Sequence, residues 1–310
     1  MTATPTPSNT EKMPPLPPTD MIYMSYDGNF QLECDATVLT CQVISGDDEK
    51  KEENGNDNGA GSAGAEMSPV ELCLDKTVMH AQGGGQPTDV GAVSLIPTNN
   101  SGGDAVEVSI EKVLLDRSNG VAKHTGKVNS NLISQLREGS SVHVTVDAAK
   151  RRILSECHTA GHILDMSMAK CGKIMPPSKA YHFLEGPYVE YKGNIPVEER
   201  PALLEQLQKT FAELVEEDIE TKIEVLDKAD AQQACDRVAD NYFNLNDFVG
   251  DRDKTVRIVT VAGWPCPCGG THVKSTGELS KEGRKWNVTG LKSKKGVVRV
   301  KYGYTATATN

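Results

Sequence analysis

The sequence predicts an α+β protein in which a small β-barrel precedes a domain of helices packed on an antiparallel sheet. Short apolar runs separated by turn residues fill residues 21–148, a pattern typical of small barrels. From Ala148 the apolar residues recur with the period of a helix. With 310 residues, the chain is long enough for two domains, which we place at 21–148 and 149–304.

The first domain is predicted to follow a Pro/Thr-rich tail, residues 1–20, which lacks the apolar core of a secretory signal. Residues 21–44 predict short strands around a turn at Asp27-Gly28. Residues 45–68 are charged and glycine-rich, so we expect a flexible insertion between two strands. Further strands are expected at 70–79, 92–96, 105–116, 120–128 and 141–147.

The second domain begins with a predicted helix from Lys150 to Lys170, with one broad apolar stripe and Gly172 as its C-cap. A second amphipathic helix is expected at 197–216. A strand, a short helix, another strand and two closing strands are expected to follow at 219–226, 229–238, 257–262 and within 290–302. Residues 305–310 are predicted to be a tail. Helices on an antiparallel sheet give the α+β class.

The net charge of −10 argues against nucleic-acid binding, but the charge is unevenly distributed. Residues 47–66 hold seven acidic and two basic residues, whereas residues 281–301 hold eight basic residues and one acidic residue. Such a basic segment can bind a phosphate backbone. The alternative is an exposed strand pair whose lysines protect a sheet edge from aggregation.

Composition excludes several other classes of protein. No apolar run approaches 18 residues, so no membrane span is expected. Eight scattered cysteines fit a reducing compartment, and we expect a cytoplasmic protein. The glycine run at 83–85 is not followed by Lys-Ser/Thr, so it is not a P-loop, and no ATP site is apparent.

Two pairs of residues indicate a metal site. His158 and His162 are spaced i, i+4, which places them on one face of the predicted helix, and Cys268 and His272 have the same spacing. This set of nitrogen and sulfur ligands suits Zn²⁺. Four ligands would make a closed structural site, and three with a water molecule a catalytic one. His272 is either the fourth ligand or orients the water, and Cys266 competes with Cys268.

The sequence frames of these pairs, HTAGHIL and then PCGGTHV, resemble the zinc-binding signature of the alanyl-tRNA editing proteins (the AlaX family). The same signature marks the editing domain of alanyl-tRNA synthetases, and threonyl-tRNA synthetases carry a related domain. Gly269-Gly270-Thr271, between Cys and His, favours the alanyl branch. The stretches AQGGGQPTDVG, YHFLEGPYVEYKG and GLKSKKGVVRVKY extend the resemblance, which covers about residues 21 to 303.

The resemblance implies an enzyme that hydrolyses mischarged Ser-tRNA(Ala), with Gly-tRNA(Ala) as a further substrate, at a Zn²⁺ site. Its partner would be the acceptor end of tRNA(Ala). The implied ligands are His158, His162 and Cys268, with His272 as a ligand or catalytic group. The implied substrate-binding residues are Gly83, Gly84, Gly85, Gln86, Thr88, Tyr181 and His182. The tRNA-binding residues predicted from the basic C-terminal segment are Lys292, Lys294, Lys295 and Arg299.

Each assignment has a simpler alternative. The glycine run also fits a tight turn, and Tyr181 and His182 also fit core packing. Two other functions remain: a non-catalytic zinc-stabilised module that binds RNA or a synthetase, and a zinc hydrolase acting on a small ester or amide. The chain is too short for a complete alanyl-tRNA synthetase and lacks a stretch resembling the aminoacylation core. Its oligomeric state does not follow from the sequence.

Overall fold

The computed structural model describes residues 15–44, 66–97, 105–239, 244–245 and 254–307. Residues 1–14 of the predicted tail, 45–65 of the predicted insertion and 308–310 of the predicted C-terminal tail lie outside these ranges. The predictions for those segments therefore stay predictions.

A closed barrel forms the N-terminal half, which confirms the predicted barrel. Within the described residues, six strands close in the order β2-β3-β7-β6-β5-β8. These strands are β2 (Glu33–Val43), β3 (Met67–Leu74), β5 (Gly91–Leu95), β6 (Glu107–Asp116), β7 (Val121–Asn129) and β8 (Ser141–Val146). Alternate residues point inward, and valines such as Val38, Val93 and Val144 are fully buried inside.

The segment before the barrel differs from the prediction. The strands expected at 21–30 are wrong: a two-residue strand, β1 (Asp20–Met21), pairs with β4 (Lys76–Thr77) and is followed by a 3₁₀ turn and α1 (Tyr26–Phe30). Ser25 caps α1 by accepting a hydrogen bond from the Gly28 backbone N–H (3.0 Å). A Cβ at Gly28 would lie 1.9 Å from the Ile22 carbonyl oxygen. Glycine therefore permits this compact turn.

The C-terminal half packs helices on antiparallel strands, as predicted. Its helices are α2 (Ala148–Lys170), α3 (Arg200–Glu216) and α4 (Lys228–Asp236). Its strands are β9 (Pro177–Tyr181), β10 (Tyr188–Lys192), β11 (Lys222–Asp227), β12 (Thr255–Val261), β13 (Trp264–Pro267), β14 (Arg284–Lys294) and β15 (Val297–Ala306). Within the described ranges these strands form a large sheet, β14-β15-β10-β9, and a small sheet, β11-β12-β13.

Helix α2 is the central element of this half. Asp147 caps its N-terminus by accepting from the Lys150 backbone N–H (2.9 Å), and Gly172 follows its end with φ +70°. Leu154, Ile163 and Leu164 are buried in or beside the core that α2 shares with α3 and the large sheet. This burial holds the histidine-bearing middle of α2 inside the protein.

Several predicted boundaries move. Thr19 is buried and donates to the Leu74 carbonyl oxygen (3.0 Å), so the ordered structure begins before residue 21. Strand β3 starts at Met67, inside the predicted insertion, and β15 runs two residues into the predicted C-terminal tail. Among the described residues, no helix is both long and apolar enough to cross a membrane.

Candidate metal centre

Two separate parts of the chain bring four potential metal ligands together. His158 and His162 come from the middle of α2, and Cys268 and His272 from the loop after β13. One ligand atom from each residue lies within 4.8 Å of all the others. The sequence pairs predicted this set, and the structure contains it.

The spacing of these atoms fits a zinc ion. The Cys268 Sγ lies 3.4 Å from Nε2 of His158 and 3.4 Å from Nε2 of His272. Zinc bonds of about 2.3 Å to sulfur and about 2.0 Å to nitrogen, at a tetrahedral angle, would separate the two atoms by about 3.5 Å. Three imidazoles and one thiol also match the ligand types that zinc prefers.

A glutamine fixes the tautomer of His158. The Thr271 backbone N–H donates to Oε1 of Gln86 (2.9 Å), which settles the orientation of the amide. His158 Nδ1 lies 2.6 Å from the same oxygen and must be the donor, because an amide oxygen only accepts. Nε2 of His158 is therefore left unprotonated and faces Cys268, as a metal ligand requires.

His272 is held in a similar way. Its Nδ1 lies 3.2 Å from Oγ1 of Thr159, and its Nε2 faces Cys268. Its backbone is clamped by Asn29, which accepts from the His272 N–H (3.0 Å) and donates to the His272 carbonyl oxygen (2.8 Å). These contacts direct the imidazole at the other three ligands, which favours its role as a ligand over that of a group that orients the water.

His162 has a buried ring nitrogen that fits the role of a metal ligand. Among the described residues, its Nδ1 is buried without a hydrogen-bond partner. A buried imidazole nitrogen without a partner is costly, and a cation bound to that nitrogen would supply the missing interaction.

Burial keeps the imidazoles neutral. It lowers the pKa of His162 to about 4, and it lowers the pKa of His158 and of His272 well below the usual value. Burial also raises the pKa of the Cys268 thiol, and the nearby Arg257 guanidinium acts in the opposite direction. Neutral imidazoles are the form that binds a metal, and a bound metal favours the thiolate.

The glycine-rich segment reaches this cluster through Gly85 and Gln86. The Gly85 carbonyl oxygen accepts from the His182 backbone N–H (2.8 Å), and a Cβ at Gly85 would lie 2.5 Å from the Ala180 carbonyl oxygen. Gly83 and Gln86 close the tight turn through paired backbone hydrogen bonds. A Cβ at Gly84 meets nothing described within 4 Å, so the close approach lies at Gly85 instead.

Three of the predicted substrate-binding side chains have other visible contacts. Gln86 is fully buried, so its side chain acts on His158 and Thr271. Thr88 accepts from the Val113 N–H (2.7 Å) and donates to the Asp89 carbonyl oxygen (2.8 Å), both backbone groups on the barrel side. His182 is buried and stacks on the His158 ring at 4.1 Å. Their roles toward a substrate stay predictions.

The remaining predicted residues lie on the large sheet or beside it. Tyr181 is partly exposed and stacks on neighbouring aromatic rings. Arg299 pairs with Glu190, and the hairpin lysines (Lys292, Lys294 and Lys295) are exposed along β14 and its turn into β15. Cys266, the competing ligand, is buried and donates its thiol hydrogen to Asp165 (3.6 Å), and it is not part of the cluster.

Sequence reasoning missed several polar groups that support the centre. Asn29 binds the His272 backbone, and Arg151 pairs with Asp89 and contacts the Asn29 carbonyl oxygen (3.4 Å). Arg257 donates to the carbonyl oxygens of Met24 (2.8 Å) and Cys268 (2.5 Å). These partners are far apart in the chain, so no spacing or motif could have identified them.

Comparison with known proteins gives matches in both halves of the chain. Residues 256–301 match the family described as the threonyl and alanyl tRNA synthetase second additional domain. The chain is 27% identical over 216 residues to the alanyl-tRNA editing protein AlaX-L of Pyrococcus horikoshii, which covers 69% of this chain and 47% of that protein.

Alanine–tRNA ligases match over a similar length. The ligase of Salinispora tropica is 27% identical over 228 residues, and that of Trichormus variabilis is 30% identical over 213 residues. These matches cover 70% and 68% of this chain but 22% of each ligase. The chain thus corresponds to less than half of the editing protein and to about a fifth of each ligase.

Proposed function

Because the chain is a homologue of the editing region of alanyl-tRNA synthetases and of an AlaX-type editing protein, we propose that it is a zinc-dependent aminoacyl-tRNA deacylase acting in trans. Its substrate would be mischarged Ser-tRNA(Ala), with Gly-tRNA(Ala) as a second substrate. The observation that carries the proposal is the four-ligand cluster, in which a residue of the glycine-rich segment fixes the tautomer of His158.

The reaction is hydrolysis of the ester between an amino acid and the tRNA 3′ end. Water adds across the ester bond, releasing the free amino acid and intact tRNA. When bound, zinc supplies Lewis-acid chemistry, which polarises an ester carbonyl or a water molecule. His158, His162, Cys268 and His272 would hold the ion.

The exposure of the ligands indicates the side from which a substrate would approach. Cys268 is partly exposed, while His158 and His272 are almost fully buried, so a substrate would approach from the Cys268 side.

Editing of serine is chemically reasonable for such a protein. A hydrophobic synthetic pocket rejects a neighbour that adds only one hydroxyl group poorly, so a second site that recognises the hydroxyl is needed for accuracy. The eight cysteines, all within the described ranges and all free, fit a reducing cytoplasm, where we place the protein.

A second candidate function is a non-catalytic zinc-stabilised module that binds RNA or a synthetase. The observation that favours it is the number of ligands, because four protein ligands are typical of closed structural zinc sites. The two functions differ in one result: a structural module would bind zinc but hydrolyse neither Ser-tRNA(Ala) nor Ala-tRNA(Ala).

The test compares ligand variants with matched controls. His158→Ala and Cys268→Ala should lose both the bound zinc, measured by elemental analysis, and the hydrolysis of Ser-tRNA(Ala). His143→Ala and Cys41→Ala change the same residue types on the barrel and should keep both. Full activity in a variant without zinc would refute a metal-dependent deacylase. Zinc-loaded wild-type protein without activity would favour the structural module.

A further inference from the structure

One face of the large sheet is open and carries both aromatic and basic side chains. Val189, Val298 and Val300 point inward and are buried against the helices. The residues between them point outward, and the strand register sets Lys292, Arg299, Glu190 and Lys179 side by side across the four strands. We call this surface the outer face.

Three aromatic rings form a continuous stack at the β9 edge of the outer face. Tyr181 stacks on Tyr188 with ring centroids 5.4 Å apart and an interplanar angle of 21°. On its other side it stacks on Phe183 at 4.6 Å and 13°. The Arg299 guanidinium lies 4.1 Å from the Tyr188 ring centroid and covers that end of the stack. The stack therefore ends at Phe183, which is partly exposed.

The charge of the outer face is strongly positive although the whole chain is acidic. Between residues 177–192, 290–294 and 297–301, the outward positions carry Lys179, Lys192, Lys292, Lys294, Arg299 and Lys301. The acidic residue at these strand positions is Glu190, which is ion-paired with Arg299, and the exposed Glu185 lies in the following loop, two residues after Phe183. A face with several lysines is complementary to phosphate groups.

The stack is directly connected to the metal centre. His182 lies between Tyr181 and Phe183 in the chain, but its ring points the opposite way and stacks on His158. Consecutive residues at the end of β9 therefore contact the metal centre on one side of the strand and form the stack on the other.

We propose that the stack of Phe183, Tyr181 and Tyr188 is a platform for unpaired bases at the 3′ end of an RNA, with the outer-face lysines contacting its phosphates. Aromatic rings beside a basic surface are the usual means of binding single-stranded nucleic acid, because every base can stack on a ring. The proposal rests on the proposed function, and it adds a surface that binds the unpaired bases of the 3′ end.

The experiment measures RNA binding separately from hydrolysis. Zinc-loaded protein is titrated, with fluorescence anisotropy as the readout, into a labelled RNA hairpin that ends in an unpaired CCA and into the same hairpin with a blunt end. The wild type should bind the hairpin with the overhang more tightly. Phe183→Ala should weaken that binding about tenfold and leave binding of the blunt hairpin unchanged, because it removes the ring at the free end of the stack. Tyr181→Ala should weaken it as well, because Phe183 loses the ring on which it stacks.

Two further variants separate stacking from other roles. Tyr181→Phe keeps the ring and should bind as the wild type does. Tyr304→Ala removes an exposed tyrosine that contacts Trp286 at the far end of the same sheet, and it should also bind normally. Zinc content and melting temperature identify a variant that has failed to fold. If Tyr181→Ala fails to fold, Phe183→Ala alone tests whether the stack binds RNA.

Either of two results overturns the platform: a wild type that shows no preference for the overhang, or folded Phe183→Ala protein that binds it with unchanged affinity. Deacylation by the wild type is measured in parallel. If the wild type hydrolyses Ser-tRNA(Ala) but shows no overhang preference, only the platform is refuted. If it prefers the overhang but hydrolyses nothing, only the proposed function is refuted.

Discussion

Replacing Gly270 by alanine should disable the metal centre with the smallest possible change in the loop that carries Cys268 and His272. A Cβ at Gly270 would lie 2.1 Å from Cε1 and 2.2 Å from Nδ1 of His158, and 2.6 Å from Oε1 of Gln86. Ordinary carbon contacts are about 3.5 Å or longer. The His158 ring would therefore have to move by about 1.4 Å.

The structure leaves the ring little room for that movement. His158 is hydrogen-bonded to Gln86 on one side and stacked on His182 at 4.1 Å on another. Loss of a supporting hydrogen bond to a ligating histidine typically weakens metal binding by about 10- to 100-fold. That range corresponds to about 1.4 to 2.7 kcal/mol of zinc-binding free energy. Separately from the loss of zinc affinity, overpacking should lower the free energy of unfolding by about 1–3 kcal/mol.

The assay is zinc competition against a chromophoric chelator, with urea unfolding of the same samples. Gly269→Ala is the matched control, because a Cβ at this neighbouring position meets nothing described within 4 Å. Gly269→Ala should bind zinc as the wild type does. Wild-type zinc affinity in Gly270→Ala, or an equal loss in both variants, would show that the tight approach to His158 does not govern the site.

Three other predictions concern parts of the molecule away from the ligands. Deleting residues 46–65 should leave zinc binding and the melting temperature nearly unchanged, because the flanking strands already meet where the Ile44 N–H donates to the Pro69 carbonyl oxygen (3.0 Å). Loss of folded protein would show that the segment is needed for folding. Burial lowers the pKa of His124 to about 4, so the unfolded chain binds a proton that the folded barrel does not between pH 6.5 and 4. The free energy of unfolding should therefore fall with falling pH in that window. His124→Gln should reduce the slope of unfolding free energy against pH by up to about 1.4 kcal/mol per pH unit, whereas His143→Gln should leave this slope unchanged. Urea unfolding at several pH values checks both variants. Neutralising the hairpin lysines should reduce the slope of log affinity for tRNA against log salt concentration by about 0.7–0.9 for each phosphate that the protein no longer neutralises. Lys209→Gln on α3 serves as the control. An unchanged slope would indicate that the lysines protect the sheet edge from aggregation instead.

Features encoded in short stretches of sequence were predictable. The barrel strands alternate apolar and polar residues, and α2 carries an apolar stripe, so local periodicity identified both. The i, i+4 spacing of His158 and His162 fixes their relative position on a helix before the rest of the fold is known. The glycine run predicted a close backbone approach, and one occurs at Gly85.

Features that depend on distant parts of the chain were not predictable. Residues 22–30 resemble strands in their apolar pattern, but the Ser25 cap and the clearance at Gly28 favour a 3₁₀ turn and a short helix. Asn29 clamps the His272 backbone from 243 positions away in the chain. Only the assembled fold reveals such a partner, because a lone asparagine in a turn has many equally common roles.

The most direct test of the account is single-turnover hydrolysis of Ser-tRNA(Ala) and Ala-tRNA(Ala) by three samples: protein as purified, protein stripped with a chelator, and stripped protein reloaded with zinc. We expect about one zinc per chain in the purified protein, in line with a single mononuclear site. Ser-tRNA(Ala) should be hydrolysed much faster than Ala-tRNA(Ala), with activity lost on stripping and restored by zinc. Equal hydrolysis of Ser-tRNA(Ala) by the stripped and reloaded samples, or none by the reloaded sample, would contradict a zinc-dependent editing centre.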